Sequence, residues 1–278
     1  MNKAFYSFFL LLTYANFCQA ALDGVPGEVI AVKDHDGISN LDQRLLEINF
    51  KDQDYILLPI PYSASNKSNQ FYGMRINIIK KDFGESRITI NDLSKVNLSK
   101  EDSDRAYKEA MQIKNAVNTY SIDLKPNMNF ASPIPNGIIS SRYGKKRFIN
   151  STPRSPHLSL DIAAGEGTPI QAPAKGKVIL TGNFFYSGNY LIIDHGYGLL
   201  SSYSHMSEIY LKTGDYVEKG EGIGSVGSTG RVTGPHLHWT VYLNKIRINP
   251  ESLLKKDYLQ SILSLVLVKT LIRLKPPM

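Results

Sequence analysis

Gly234-Pro235-His236-Leu237-His238-Trp239, running on into Thr240-Val241-Tyr242-Leu243, sets the reading of the whole chain. The period is two, so the stretch is read as a β-strand with His236 and His238 on one face. Two imidazoles are thereby aimed at one spot. A His-x-His pair is also an ordinary surface feature, so the functional reading requires further ligand-type residues that converge on the same place.

The chain has 278 residues, 42% hydrophobic and 21% charged, which is globular and long enough for two modest domains. Residues 1–20 form a separate case. Lys3 supplies a positive start, Phe5 to Leu12 an apolar core, and Cys18-Gln19-Ala20 a small-x-small end. This is the layout of a cleaved signal peptide and predicts an exported protein. Asn16-Phe17 argues against lipid attachment at Cys18. Cys18 is the only cysteine, so a cleaved chain has neither disulfides nor thiolate metal ligands. The formal charge of +7 favours anionic polymers. For an exported protein these are cell-wall or membrane-surface polymers. No nucleic-acid motif is visible, and no nucleic-acid partner is expected.

Residues 21–95 read as a small N-terminal β domain. Short β-branched or aromatic runs, such as Glu28 to Val32, Leu45 to Phe50, Tyr55 to Ile60, Met74 to Ile79 and Ser86 to Ile90, alternate with turn-forming clusters. His35 lies in one such turn. Over residues 96–126 the period changes to that of a helix: Ala106, Ala110, Ile113, Val117 and Tyr120 recur at helical spacing behind a Ser99/Asp102 capping box. Residues 127–254 read as a second, glycine-rich β domain, a compact antiparallel sandwich. Its expected strands include Ile138 to Ser140, Leu158 to Ala163, Lys177 to Thr181, Tyr190 to Asp194, Leu199 to Ser204, Ile223 to Val226 and Leu237 to Leu243. Residues 255–278 are a tail whose central apolar run is too short to span a bilayer. The fold class is therefore mainly β with one linking helix.

Five of the six histidines fall between residues 157 and 238. In His157-Leu-Ser-Leu-Asp161 the polar set shares a face. An extended strand would separate His157 from Asp161 by about 13 Å, so both reach one ion only where the chain bends at Pro156-His157. His157, Asp161 and His238 then make a two-nitrogen, one-oxygen set, the composition of a catalytic zinc with one place left for water. His205 and His236 remain as imidazoles able to flank such a water, one as proton acceptor and one as stabiliser of the oxyanion.

His157-x-x-x-Asp161, Ser204-His205-Met206 and Gly234-Pro-His236-Leu-His238 resemble the signature of the lysostaphin-type (LytM-type) zinc metallopeptidases, which cleave peptide cross-links of bacterial peptidoglycan. The resemblance covers residues 130–254. It extends to Arg154-Ser-Pro-His157, Ile192-Ile-Asp-His195-Gly and Gly227-Ser-Thr-Gly-Arg-Val-Thr-Gly234. It implies Zn2+ held by His157, Asp161 and His238, with His205 and His236 catalytic and His195 structural. It departs from the family pattern at Ser159, where glycine is usual. Peptidoglycan is the implied partner. The implied setting is the periplasm of a Gram-negative bacterium, with secretion or cell-wall association as the alternative. The bond expected to be cut is D-Ala to diaminopimelate. Because some hundred residues precede a peptidase domain that reads as complete without them, the N-terminal domain is a candidate gate for the cleft, with a wall-targeting module or a folding support for the helix as the alternatives.

Two other readings use the same residues. Ala172 to Val178 with Gly214 to Gly220 echoes the half-repeats of biotinyl and lipoyl carriers, but Ser201-Ser-Tyr-Ser-His205-Met stands between them, with no lysine at a hairpin tip. A non-catalytic wall binder or amidase activator on the same fold is the second alternative. The absence of His-Glu-x-x-His excludes that metalloprotease type.

Overall fold

The computed structural model describes residues 22–34, 44–65, 70–71, 74–89, 98–126 and 128–273. The signal-peptide stretch, the His35 turn and residues 274–278 of the tail lie outside them.

The fold is mainly β, as the alternating patterns predict. Ten strands form one large sheet. Its path begins with β16 (Tyr216–Val217), β13 (Gly176–Phe184) and β14 (Gly188–Asp194), and passes through β15 (Leu199–Ile209) to β18 (His236–Leu243). It finishes with β11 (Leu160–Ala163) and β8 (Ile138–Ser141). β17 (Gly222–Val226) bridges β15 and β12 (Pro169–Gln171), and β19 (Ile246–Ile248) returns against β18. All neighbours within this sheet are antiparallel. β14 and β15 are joined by the Asp194–Gly198 hairpin, in which the Asp194 carboxylate accepts from Gly196 N at 2.8 Å.

Alternation in β18 and β15 splits the sheet into two faces. Leu237, Trp239, Val241 and Tyr203 enter the main core together with Leu160, Leu191 and Ile193. That core also takes in Val29, Ala31, Tyr55 and Leu57 from a three-stranded N-terminal sheet of β2 (Val29–Lys33), β4 (Gln53–Pro59) and β3 (Leu46–Phe50). Each such buried aliphatic side chain contributes about 1.5–3 kcal/mol, so the two β regions share one apolar interior.

On the opposite face, Phe184, Tyr190, Ile192, Leu200 and Tyr242 form a second cluster, against which Ile113, Ala116 and Val117 pack. These three belong to helix α1 (Lys100–Val117), whose N-cap Ser99 accepts from Asp102 N as the capping pattern predicts. A second link crosses from the N-terminal region: β7 (Glu85–Ile88) pairs in parallel with β9 (Lys146–Ile149), which pairs in turn with β10 (Thr152–Arg154). β1 (Leu22–Gly24), β6 (Met74–Ile78) and β5 (Gln70–Phe71) make a further small sheet.

The tail folds back. After the short helix α2 (Pro250–Leu253), helix α3 (Tyr258–Arg273) packs on β2. There Tyr258 OH accepts from Val29 N at 3.3 Å, and Leu263 is fully buried. Among the described residues no helix is long and apolar enough to cross a membrane.

Candidate active site

The second face of the large sheet carries the polar cluster. Asp161 and His238 are directly opposite in the β11–β18 register, with Ala163 opposite His236. The pairing sets Asp161 Oδ1 2.7 Å from His238 Nδ1. The strand read over Leu158 to Ala163 begins only at Leu160. Residues 156–159 turn instead, because His157 N donates to Lys145 O at 2.9 Å and His157 O accepts from Gly144 N at 2.6 Å. This bend replaces the extended separation and places His157 Nε2 3.0 Å from Asp161 Oδ1 and 3.3 Å from His238 Nδ1. The three ligand-type atoms all lie within 4.8 Å of one another. His157 Nδ1–H donates to Arg142 O at 3.1 Å, which leaves the Nε2 lone pair for a ligand role, the usual outer support of a metal-binding histidine. Two neutral imidazole nitrogens and a carboxylate oxygen are the donor set that zinc takes.

His205 reaches the same place by a distortion. Ser202 and Ser204 face the cleft while Tyr203 enters the core, so strict alternation would turn His205 inward. Between Tyr203 and Met206 the β14–β15 register slips, and His205 has φ 67°. A bulge of this kind re-aims one side chain, and a left-handed non-glycine residue is a local strain that the surroundings must hold. They hold it through His205 N donating to Ser187 O at 2.7 Å and Nδ1–H donating to Thr229 O at 2.9 Å. Thr229 comes this near because Gly188, at φ 63°, leaves the space that a Cβ would take. His236 is fixed similarly, Nδ1–H to Gly234 O at 2.9 Å, with Nε2 4.0 Å from Asp161 Oδ1. The rings of His205 and His236 are 5.0 Å apart, and His205 lies 5.8 Å from His238.

Charge follows from burial. Desolvation alone would raise the Asp161 carboxyl, but hydrogen bonds from His157 and His238 overcome it and hold the group well below the usual carboxylate range. Burial first, then the neighbouring His238 and His236, push His205 down to about 3. Burial also lowers His238. Neutral imidazoles are the form that binds metal or accepts a proton.

Ser159 is buried, and its Oγ lies 2.7 Å from Thr240 Oγ1, so the hydroxyl at this position is hydrogen-bonded. His195 stands apart from the cluster. Its ring packs edge-on against Phe130 at 4.9 Å, Nδ1–H donates to Lys175 O at 2.7 Å, and Nε2 accepts from Ser201 Oγ at 2.7 Å.

The cleft around the five residues has a volume of about 590 Å³. Sequence reading did not anticipate several of its walls: Arg147 on β9, Tyr186 on the β13–β14 turn, and Ile88, Thr89 and Ile113 from the N-terminal region. β9 carries no clean alternation in Lys146-Arg-Phe-Ile149, and nothing local reports that β7 will pair with it.

A family model, Peptidase family M23, matches residues 155–250. The peptidoglycan DD-endopeptidase ShyA of Vibrio cholerae is 41% identical over 112 residues, 40% of this chain and 26% of that protein. The DD-carboxypeptidase/endopeptidase Mpg of Neisseria meningitidis is 43% identical over 96 residues, 34% of this chain and 22% of that protein. This chain thus spans less than a third of the length of the curated relatives it matches. A solved Pseudomonas aeruginosa structure assigned to peptidase M23 superposes with a TM-score of 0.61 at 28% identity. The match covers 83% of this chain and 94% of that one, so the likeness extends beyond the matched segment into the N-terminal region.

Proposed function

We propose, from the match of residues 155–250 to peptidase family M23, that this chain is an exported zinc metalloendopeptidase hydrolysing the peptide cross-links of peptidoglycan. The bond assigned is D-Ala to diaminopimelate, in the periplasm of a diderm bacterium. The observation that carries this reading is the convergence of His157 Nε2, Asp161 Oδ1 and His238 Nδ1 within 4.8 Å, beside two further imidazoles in one cleft.

In this mechanism His157, Asp161 and His238 would hold zinc. When bound, zinc supplies Lewis-acid polarisation of the scissile carbonyl and acidifies water. His205 and His236 both donate Nδ1–H to backbone carbonyls, so each presents Nε2 to the cleft. A neutral Nε2 accepts the proton of the attacking water. The same nitrogen, once protonated, donates to the developing oxyanion or to the departing amine. Burial keeps His205 neutral at physiological pH, which suits the accepting role. The hydroxyls of Ser159 and Thr240 form the floor beside the ligand set. Ile88, Thr89 and Ile113 narrow the same cleft, which supports a gating role for the N-terminal region.

The test is to incubate the zinc-loaded protein with defined cross-linked muropeptide dimers and to follow products by mass spectrometry. Monomers cut between D-Ala and diaminopimelate are expected. Intact dimers after prolonged incubation would reject the reading, and cleavage of pentaglycine bridges alone would reassign the substrate.

A further inference from the structure

The proposed endopeptidase reaction leaves part of the cleft without a role. Arg147 and Arg231 line it, and the one carboxylate among its described lining residues, Asp161, is engaged by His157 and His238. Arg147 on β9 is directly opposite Arg154 on β10, so two guanidinium groups stand side by side on one face of a hairpin. Like charges in that position destabilise the pair. Neither arginine makes a hydrogen bond or ion pair with a described residue. By contrast, Arg105 and Arg142 pair with Glu109 and Glu251. Arg231 approaches from the loop before β18, its guanidinium stacked 4.2 Å over the Tyr186 ring.

The three charges are close enough to interact. After burial and Tyr186, Arg154 and Arg147 both act to lower Arg231. Burial lowers Arg147 while Asp161 opposes it, and Arg147 acts on His238 as well. Arg147 and Arg154, neither paired with an acid among the described residues, form with the nearby Arg231 a cationic wall suited to an anion, and Arg147 sets it beside the metal-type cluster.

We propose that Arg147, assisted by Arg154 and Arg231, binds the free carboxylate that the substrate carries next to its scissile amide, and so selects cross-links that bear this charge. This rests on the endopeptidase reading. In a D-Ala to diaminopimelate cross-link, the carbon bonded to the scissile nitrogen also bears an unesterified carboxylate. A planar guanidinium matches that group with two parallel hydrogen bonds. Arg147 is a substrate-binding residue here, and it takes no part in proton transfer.

The experiment compares two cross-linked muropeptide dimers, identical except that this carboxylate is free in one and amidated in the other. The zinc-loaded native protein should show a kcat/KM about 10- to 100-fold higher for the free acid, the range of a charge-assisted pair. Arg147→Gln should erase the preference by lowering the free-acid rate alone, and Arg147→Lys should retain part of it. Calorimetric titration with the monomeric product, free against amidated, should show the same discrimination in binding. Should Arg147→Gln fail to fold, Arg154→Gln, at an exposed position, should still weaken the preference. Equal native rates on the two dimers overturn the inference and leave the endopeptidase intact. So does a preference that survives both glutamine variants unchanged. Cleavage of neither dimer overturns the proposed function itself.

Discussion

Acidification should destabilise this protein through His195. The residue has 1% relative exposure, and burial pushes it from its ordinary 6.5 down to about 4. Folding therefore excludes a proton that the unfolded chain accepts below pH 6.5. The sign follows from linkage: the stabilisation is fully present above pH 6.5 and is lost as pH falls towards 4. A 2.5-unit displacement gives a loss of about 2 kcal/mol at pH 5 and about 3 kcal/mol at pH 4. Other groups titrate as well, so the His195 share must be isolated by difference. His195→Asn keeps an amide near the Nδ1 position for Lys175 O but removes the titrating ring. It should cost about 1–3 kcal/mol at pH 7.5 from lost packing against Phe130. Urea unfolding of both proteins at pH 7.5 and pH 5 should then show the gap between them narrowing by about 2 kcal/mol. An unchanged gap would refute the argument that buried neutral His195 carries this pH dependence.

Four further outcomes are expected. His238→Ala, His157→Ala and Asp161→Asn should each lose stoichiometric zinc by metal analysis, and full retention removes that residue from the ligand set. His205→Ala and His236→Ala should lower turnover by about 100-fold or more while keeping zinc; loss of zinc in either reassigns it as a ligand. Ser159→Gly removes the bond to Thr240 and should cost about 1 kcal/mol in urea unfolding, with zinc content unchanged; a fall in zinc would show that the hydroxyl supports the ligands. Ile88→Ala opens the wall contributed by the N-terminal region and should raise kcat/KM on soluble dimers; an unchanged or lower rate in a folded variant counts against gating.

What the sequence by itself determined is what a local period can encode. Strict alternation in Leu237 to Leu243 set which side chains share a face of β18, and that face carries His236 and His238. Ser99 and the helical spacing behind it marked α1 because capping and periodicity act within a few residues. The five histidine and aspartate residues were legible as ligand types. Their meeting was expected from the motif resemblance and a bend at His157, but no local period fixes it, since Asp161 faces His238 only through the β11–β18 register. Tertiary structure alone decided the rest. His205 turns into the cleft by a bulge that alternation argues against, held by Ser187 and by Thr229 packed on Gly188. β7 pairs with β9 and α1 covers the Tyr190 and Tyr242 face, so distant segments become walls of the cleft. The tail becomes a helix docked on β2. The physical reason is common to all three. A residue's own neighbours fix its face and its propensity, whereas bulges, strand partners and docked helices are settled by hydrogen bonds and apolar surface supplied from elsewhere in the chain.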